Sequence, residues 1–535
     1  MKRLFAVFSI CLTGVAGPAG GQGMPQLSPV VETEYGRVQG LSENGIHAFR
    51  GIRYAAPPIG DLRFMPPADP ESWQDIADAA HLGAPCMQDY APSGPNITDF
   101  MRELNTLFPT LSEDKIDNED CLFLNVWTPG TDDGVRPVMV WIHGGGYAYG
   151  SGGWPAYDGA NLARRGDVVV VTVNHRLHLF GYINLAPIFG EEFAGSGNAG
   201  NADLVQSLQW VRDNIANFGG DPDNVTIMGE SGGGSKVSHL MATPAADGLF
   251  HRAIIQSGAG VTSGDAGQAA DLARQLLDEA GIETVEQLRA AHPNALLEAM
   301  DALLGRLGRG FGSPHFRPIV DSDFLPRHPF REGAPEQSHD VPVLIGWNTD
   351  EMTFFTLSHP WFGNLTDDAL DAMAPGFGEA GPALVANFRQ KYPEFSPTYI
   401  ATRARQAGFV QRTFTLADAQ ARTGAPVYMY QLAWETPVDG GQLRAPHMLD
   451  IPLMFDNVER SRVFVGLGEE PQRMADMMSD AWISFARTGV PSSDTLPDWP
   501  RYMPDSRMVM QLDLEPGIVA DPERGAREIL SAGRD

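Results

Sequence analysis

The residues of this chain best suited to chemistry are a serine set among glycines, two adjacent acids and a histidine in a proline-flanked loop. Gly229-Glu230-Ser231-Gly232-Gly233 reads G-x-S-x-G. It follows the apolar run Val225-Thr226-Ile227-Met228 and precedes Ser235 to Met241, which suits a helix. A serine on so sharp a strand-to-helix turn projects its hydroxyl outward, with backbone N–H groups beside it. Small residues at 229, 232 and 233 permit the turn and let the helix pack close to the strand. Such a hydroxyl attacks an acyl carbon when a base takes its proton, an acid orients the base and N–H donors hold the oxyanion.

The donors have a clear candidate. Trp141-Ile142-His143-Gly144-Gly145-Gly146-Tyr147 follows directly on an apolar run, and its consecutive glycines leave the N–H groups unobstructed. In a chain with 59 glycines a Gly-rich turn alone says little. Its pairing with the downstream GESGG is what points to an oxyanion hole completed by the N–H of Gly232. The remaining partners follow in the order Ser, then Asp or Glu, then His. Glu351 ends Gly346-Trp347-Asn348-Thr349-Asp350-Glu351, just past a candidate strand, and Asp350 competes with it as the orienting carboxylate. His447 lies in Arg444-Ala445-Pro446-His447-Met448-Leu449-Asp450-Ile451-Pro452, a loop expected to follow the last strand. His251, His292 and His359 carry no such context among the 13 histidines. With His447 as base, activity is expected to rise as it loses its proton, at roughly pH 6–7.

These residues need a scaffold, and the apolar patterning supplies one. Candidate strands run over Pro137 to Ile142, Val168 to Val173, Val225 to Met228, Ala253 to Gln256, Val341 to Ile345 and Val427 to Leu432. Between the second and third, Leu204, Leu208, Val211, Ile215 and Phe218 share one helical face. Strands separated by helices imply crossovers and a largely parallel sheet covered on both faces. With the serine elbow, this predicts an α/β-hydrolase fold, one large α/β domain over residues 24–535. Earlier, Val30 to Gly40 and His47 to Tyr54 read as antiparallel strands. Residues 265–310 and 470–487 read as helices, with Met474, Met478, Trp482 and Phe485 on a core face. Residues 355–425 read as helical insertions over the sheet's C-terminal edge, where pockets of open parallel sheets form.

Composition narrows the function classes. The chain has 535 residues, 43% hydrophobic, enough for a large core. Lys2 and Arg3, then the apolar Leu4 to Ala16 and small residues to Gly21, read as a signal peptide over 1–21. The apolar stretch is too short to span a membrane, so an exported, periplasmic or secreted protein without membrane insertion is expected. Leader removal takes the formal charge from −29 to −31, two cations fewer, a surface that repels nucleic acid. It leaves Cys86 and Cys121, which in an exported chain most simply form one disulfide, two buried thiols being the alternative. Closing that loop stabilises by roughly 3–4 kcal/mol in the chain-entropy picture. No H-E-x-x-H or clustered Cys/His set appears, so no metal or other cofactor is expected.

Beyond the elbow, the chain resembles the type-B carboxylesterase/cholinesterase family over nearly its whole mature length. The matching stretches are Phe49-Arg50-Gly51-Ile52, Tyr54-Ala55-Ala56-Pro57-Pro58-Ile59-Gly60-Asp61-Leu62-Arg63-Phe64 and Glu119-Asp120-Cys121-Leu122-Phe123-Leu124-Asn125. Two more are Asn214-Ile215-Ala216-Asn217-Phe218-Gly219-Gly220-Asp221-Pro222 and Trp482-Ile483-Ser484-Phe485-Ala486-Arg487-Thr488-Gly489. The resemblance implies hydrolysis of small-molecule carboxylic esters through an acyl-enzyme. It implies Ser231 as nucleophile, Glu351 as acid, His447 as base, and Gly145, Gly146 and Gly232 as oxyanion donors. Glu230 would help order water, and Ser257 would hydrogen-bond Glu351. The resemblance also implies a Cys86–Cys121 disulfide and the structural ion pairs Arg63–Glu119 and Arg176–Asp203.

Three departures stand out. The family usually has alanine where this chain has Gly232, which keeps the N–H and adds freedom expected to loosen the hole slightly. His175 and His178 replace the common Tyr and Gly, and read as packing changes. The segment Met87 to Asp120 lacks the tryptophan on which cholinesterases stack choline. Its absence argues against a choline ester and leaves Tyr90, Phe100 and Phe108 as candidate walls for a neutral substrate. The segments 87–118, 303–317 and 355–400 are the expected sources of the acyl and alcohol pockets. A binding module on the same fold would lack a triad member, an interfacial lipase would show a rate jump above substrate solubility, and nothing favours an amide.

Overall fold

The apolar runs read as strands lie side by side in one 13-stranded sheet. The computed structural model describes residues 25–88, 99–109, 116–308, 315–321 and 323–532; the leader 1–21 and Tyr90 lie outside the described residues. In chain order the first strands are β1 (Gln26–Thr33), β2 (Gly36–Glu43), β3 (Ile46–Arg53), β4 (Ile76–Asp78), β5 (Phe123–Thr128) and β6 (Arg136–Ile142). There follow β7 (Val169–Val173), β8 (Gly220–Glu230), β9 (Arg252–Gln256), β10 (Val343–Asn348), β11 (Val427–Leu432), β12 (Met508–Leu512) and β13 (Gly517–Ala520). Across the sheet they run β1-β2-β3-β5-β7-β6-β8-β9-β10-β11-β12-β13, with β4 beside β2. Every pairing from β7 to β12 is parallel. Both flanks are antiparallel, apart from the parallel β2–β4 pair.

The period of two along each strand explains why these runs are apolar throughout. In β6, Val138, Val140 and Ile142 enter one core, while Met139 and Trp141 enter the other. In β11, Val427 and Met429 face the first core, and Tyr428, Tyr430 and Leu432 the second. A strand buried on both faces has no solvent side to mark with polar residues. Leu204, Leu208 and Val211 of the helix Ala199–Asn214 belong to the first core. Met474, Met478, Trp482 and Phe485 of the helix Glu469–Thr488 belong to the second. The fold is the α/β-hydrolase architecture expected, with helices on both faces of a large mixed sheet.

The strands differ from expectation in three places. Val30 to Gly40 spans the β1–β2 hairpin, with its turn at Glu34 and Tyr35. Strand β11 is not the last, because β12 and β13 extend the sheet beyond it, so the His447 loop leaves an interior strand. Strand β5 carries a polar residue at its centre. Asn125 is buried there, accepting from the Gly51 N–H and donating to Thr172 Oγ1.

Cys86 and Cys121 are joined in a disulfide. Both family ion pairs form: Arg63 reaches Glu119 through two bonds of 2.6 Å, and Arg176 reaches Asp203 at 2.6 and 2.9 Å. Because β6, β8, β9, β10 and β11 are parallel, the segments that leave their C-terminal ends converge on one edge. Those segments carry the glycine run, Ser231, Ser257, Glu351 and His447.

Candidate active site

Ser231 sits between β8 and the helix Gly232–Met241 with φ 56° and ψ −122°, a left-handed backbone that a side chain adopts only where the surroundings impose it. Beside it the helix start comes close to the end of β6. A Cβ on Gly233 would run into the Ile142 carbonyl, so no larger residue fits there. The Ser231 N–H donates to the Gln256 carbonyl at 2.8 Å, which ties the turn to β9.

Glu351 is the first residue of the short helix Glu351–Thr356 after β10, and it is fully buried. Its Oε2 accepts from His447 Nδ1 at 2.5 Å. Its Oε1 accepts from Ser257 Oγ at 2.6 Å and from the Asn348 N–H at 2.7 Å. A carboxylate only accepts, so Nδ1 carries the proton and Nε2 is the nitrogen on the Glu230 side. Asp350, equally buried, turns away. It pairs with Arg403 at 3.1 and 3.2 Å and with Arg444 at 3.3 Å, which separates the two acids that spacing alone left open.

His447 Nε2 lies 3.1 Å from Glu230 Oε1, though without hydrogen-bond alignment. Among the described residues Ser231 Oγ makes no hydrogen bond. Burial alone would pull the imidazole's pKa down; the Glu230 and Glu351 carboxylates outweigh it and hold His447 up at about 9. That lies above the pH 6–7 expected from the sequence. Burial in turn pushes the Glu230 carboxyl well up. Sequence reasoning missed Asp450, a further buried acid here, which accepts from Gln256 Nε2 at 2.8 Å and Tyr430 OH at 2.9 Å. Burial raises it as well.

The glycine run leaves β6 and turns beside Ser231, with Gly145 and Gly146 at φ 78° and 62°. The freedom at Gly232 is used for close approach. A Cβ there would meet Gly146 Cα at 2.5 Å, so glycine lets the glycine run sit nearer to the elbow than alanine would. His175 is buried and stacks on His143 at 4.5 Å, and His178 is buried within 5.8 Å of the Phe180 ring, so both serve packing.

Ser231, Glu230, His447, Gly144 and Gly145 open onto one cavity of about 160 Å³. Its walls are Leu104, Phe108, Tyr149, Trp154, Tyr157, Phe354 and Phe355. Phe108 is a wall as expected, whereas Phe100 packs on Phe464 at 6.2 Å. The segment after the glycine run supplies Tyr149, Trp154 and Tyr157, a contribution not foreseen. No wall residue among the described residues comes from 303–317. Trp154 is itself stacked on Tyr157 and Tyr149 and met edge-on by Phe108, so its ring is engaged in the wall. Among the described residues no three His, Cys, Asp or Glu side chains gather as metal ligands, and no helix is long and apolar enough to cross a membrane.

An elbow serine, a histidine–carboxylate pair and a glycine loop at the C-terminal edge of a mostly parallel sheet define the α/β-hydrolase class. The carboxylesterase family profile matches residues 27–527. The para-nitrobenzyl esterase of Bacillus subtilis (strain 168) is 37% identical over 507 residues, covering 94% of this chain and 98% of that protein. A phenmedipham hydrolase from Pseudarthrobacter oxydans is 33% identical, covering 92% and 96%. A Geobacillus stearothermophilus carboxylesterase structure superposes with a TM-score of 0.79 at 37% identity, covering 94% and 99%. The chain belongs to the carboxylesterase family and is a carboxylic ester hydrolase.

Proposed function

We propose that the protein cleaves small neutral carboxylic esters in two steps, with Ser231 as nucleophile, His447 as base and Glu351 as the acid that orients it. The observation that carries this reading is the Glu351–His447 hydrogen bond, directed into the cavity that holds the strained Ser231. Ester binding brings Ser231 Oγ within reach of His447 Nε2, a contact that commonly tightens only in the complex. Oγ attacks the carbonyl carbon as Nε2 takes its proton, and the N–H groups of Gly145, Gly146 and Gly232 hold the oxyanion. The C–O bond to the alcohol breaks, and the alcohol leaves with the proton from His447. Water then gives its proton to His447 and attacks the acyl-enzyme; collapse releases the acid and returns the proton to Ser231. Glu230, beside Nε2, is suited to hold that water.

The aromatic walls and the volume of about 160 Å³ favour a short acyl chain or a ring of benzyl size over a long lipid chain. The basic and apolar leader, together with the Cys86–Cys121 disulfide, supports export of residues 24–535 as one catalytic domain. The test is turnover of nitrophenyl esters from acetate to palmitate, with Ser231→Ala alongside. Fast turnover of short esters that vanishes in Ser231→Ala is the expected result. Undiminished turnover by Ser231→Ala, or none by folded wild type, would overturn the reading. A rate jump above substrate solubility would mark an interfacial lipase instead.

A further inference from the structure

Lys236 is fully buried one turn into the helix that begins after Ser231, and the reaction proposed above gives it no part. A fully buried lysine is rare unless it is paired. Among the described residues it forms no ion pair with a carboxylate. Its amine instead donates to the His143 carbonyl at 3.0 Å and lies 5.4 Å from the Tyr147 ring centroid. The two residues it touches bracket Gly144, Gly145 and Gly146.

The carbonyls along this run are tied one after another. Lys236 holds that of His143. His143 Nδ1 donates to the Gly144 carbonyl at 3.0 Å. The N–H groups of Ala148 and Tyr149 donate to the Gly145 carbonyl at 3.1 and 3.3 Å. In a trans peptide the C=O and the next N–H point in opposite directions. Anchoring the Gly144 and Gly145 carbonyls therefore fixes where the N–H groups of Gly145 and Gly146 aim. His143 can anchor Gly144 only while its ring is held in place. Stacking on His175 at an interplanar angle of 11° holds one side, and the Lys236 bond to its carbonyl holds the backbone. Burial pushes both histidines well below their ordinary pKa, so each stays neutral with one N–H to give.

We propose that Lys236 is a positioning residue for the oxyanion hole: through the His143 carbonyl it holds the ring that anchors the Gly144 carbonyl, and so presets the aim of the Gly145 N–H. It touches no reacting atom. This rests on the serine esterase reading, and it predicts an effect confined to the state in which the oxyanion exists. Burial pushes the amine pKa well down, and the clamp works in either charge state because a neutral amine still donates.

The test uses Lys236→Met, which keeps the length of the side chain and removes its donor, and Lys236→Gln, which restores an N–H. Steady-state kinetics on nitrophenyl acetate are paired with inhibition by an aryl trifluoromethyl ketone, which adds to the serine as an oxyanion, and by the matching methyl ketone. In folded Lys236→Met, kcat should fall about 10- to 100-fold, less than or comparable to removing one donor outright, with KM within about twofold. The trifluoromethyl ketone should weaken in parallel with kcat/KM while the methyl ketone does not, and Lys236→Gln should recover part of both losses. A folded Lys236→Met with wild-type kcat, or one that loses kcat without weakening the trifluoromethyl ketone, would overturn the proposal. So would failure of both variants to fold, which would assign Lys236 to folding alone. Ser231→Ala run beside them separates the two claims: if it keeps wild-type turnover, the reading of Ser231 as nucleophile itself fails.

Discussion

Two kinds of buried charge cluster stand side by side in this molecule. In the Arg176–Asp203 pair, 3% and 0% exposed, one guanidinium grips one carboxylate with two bonds, and Arg63–Glu119 repeats the pattern. At the sheet edge, Glu230, Glu351 and Asp450 surround a single imidazole. Asp350, next in sequence to Glu351, belongs to the first kind because Arg403 and Arg444 take its carboxylate. The contrast separates structure from chemistry. Matched pairs fix loops, whereas the carboxylates gathered around one imidazole raise its pKa and leave a proton to be moved.

Four substitutions would break or sharpen that contrast. The largest effect is expected from Glu351→Gln, which keeps the shape but allows the wrong imidazole tautomer, and should lower kcat about 10⁴-fold with little change in melting temperature. Arg176→Met should do the opposite. Leaving Asp203 buried without its partner should destabilise by about 3–5 kcal/mol in urea unfolding, while the folded fraction keeps its kcat. Gly232→Ala should push Gly146 out of place and lower kcat by about tenfold, measured on nitrophenyl acetate, since part of one donor's contribution is lost. The smallest effect is a shift in pH profile. As the proposed base, His447 would work only when deprotonated, and it is held up at about 9, so kcat/KM should still be rising above pH 7. Glu230→Gln removes the largest of the raising charges and should move that rise to lower pH.

What the sequence disclosed follows from where the information lies. The elbow was legible because Gly229, Gly232 and Gly233 are demanded by a local turn. Strands β6 to β11 were legible because burial on both faces makes each a continuous apolar run. Strand β5 hid inside a family motif, since Asn125 at its centre looks polar until Thr172 and Gly51 are brought beside it. Short β12 and β13 are defined by pairing with distant residues, which no window reveals. The same holds within the site. Spacing could not choose Glu351 over Asp350, because the choice is made by Arg403, half a hundred positions away and visible only in the fold. Asp450, Gln256 and Lys236 carried no signal either, because their chemistry arises only from being buried beside one another's elements. Trp154 and Tyr157 are hidden for the opposite reason, as aromatic residues in a loop usually read as packing.

The central claim is that Glu351 orients His447 to activate Ser231 and that Asp350 serves the fold. The most direct measurement is the rate at which a fluorophosphonate labels the protein, with the modified peptide located by mass spectrometry, in wild type, Glu351→Gln and Asp350→Asn. The account predicts a single label on Ser231, formed orders of magnitude more slowly in Glu351→Gln and at near wild-type rate in folded Asp350→Asn. Labelling at another residue, or an equal loss of rate in both variants, would contradict it.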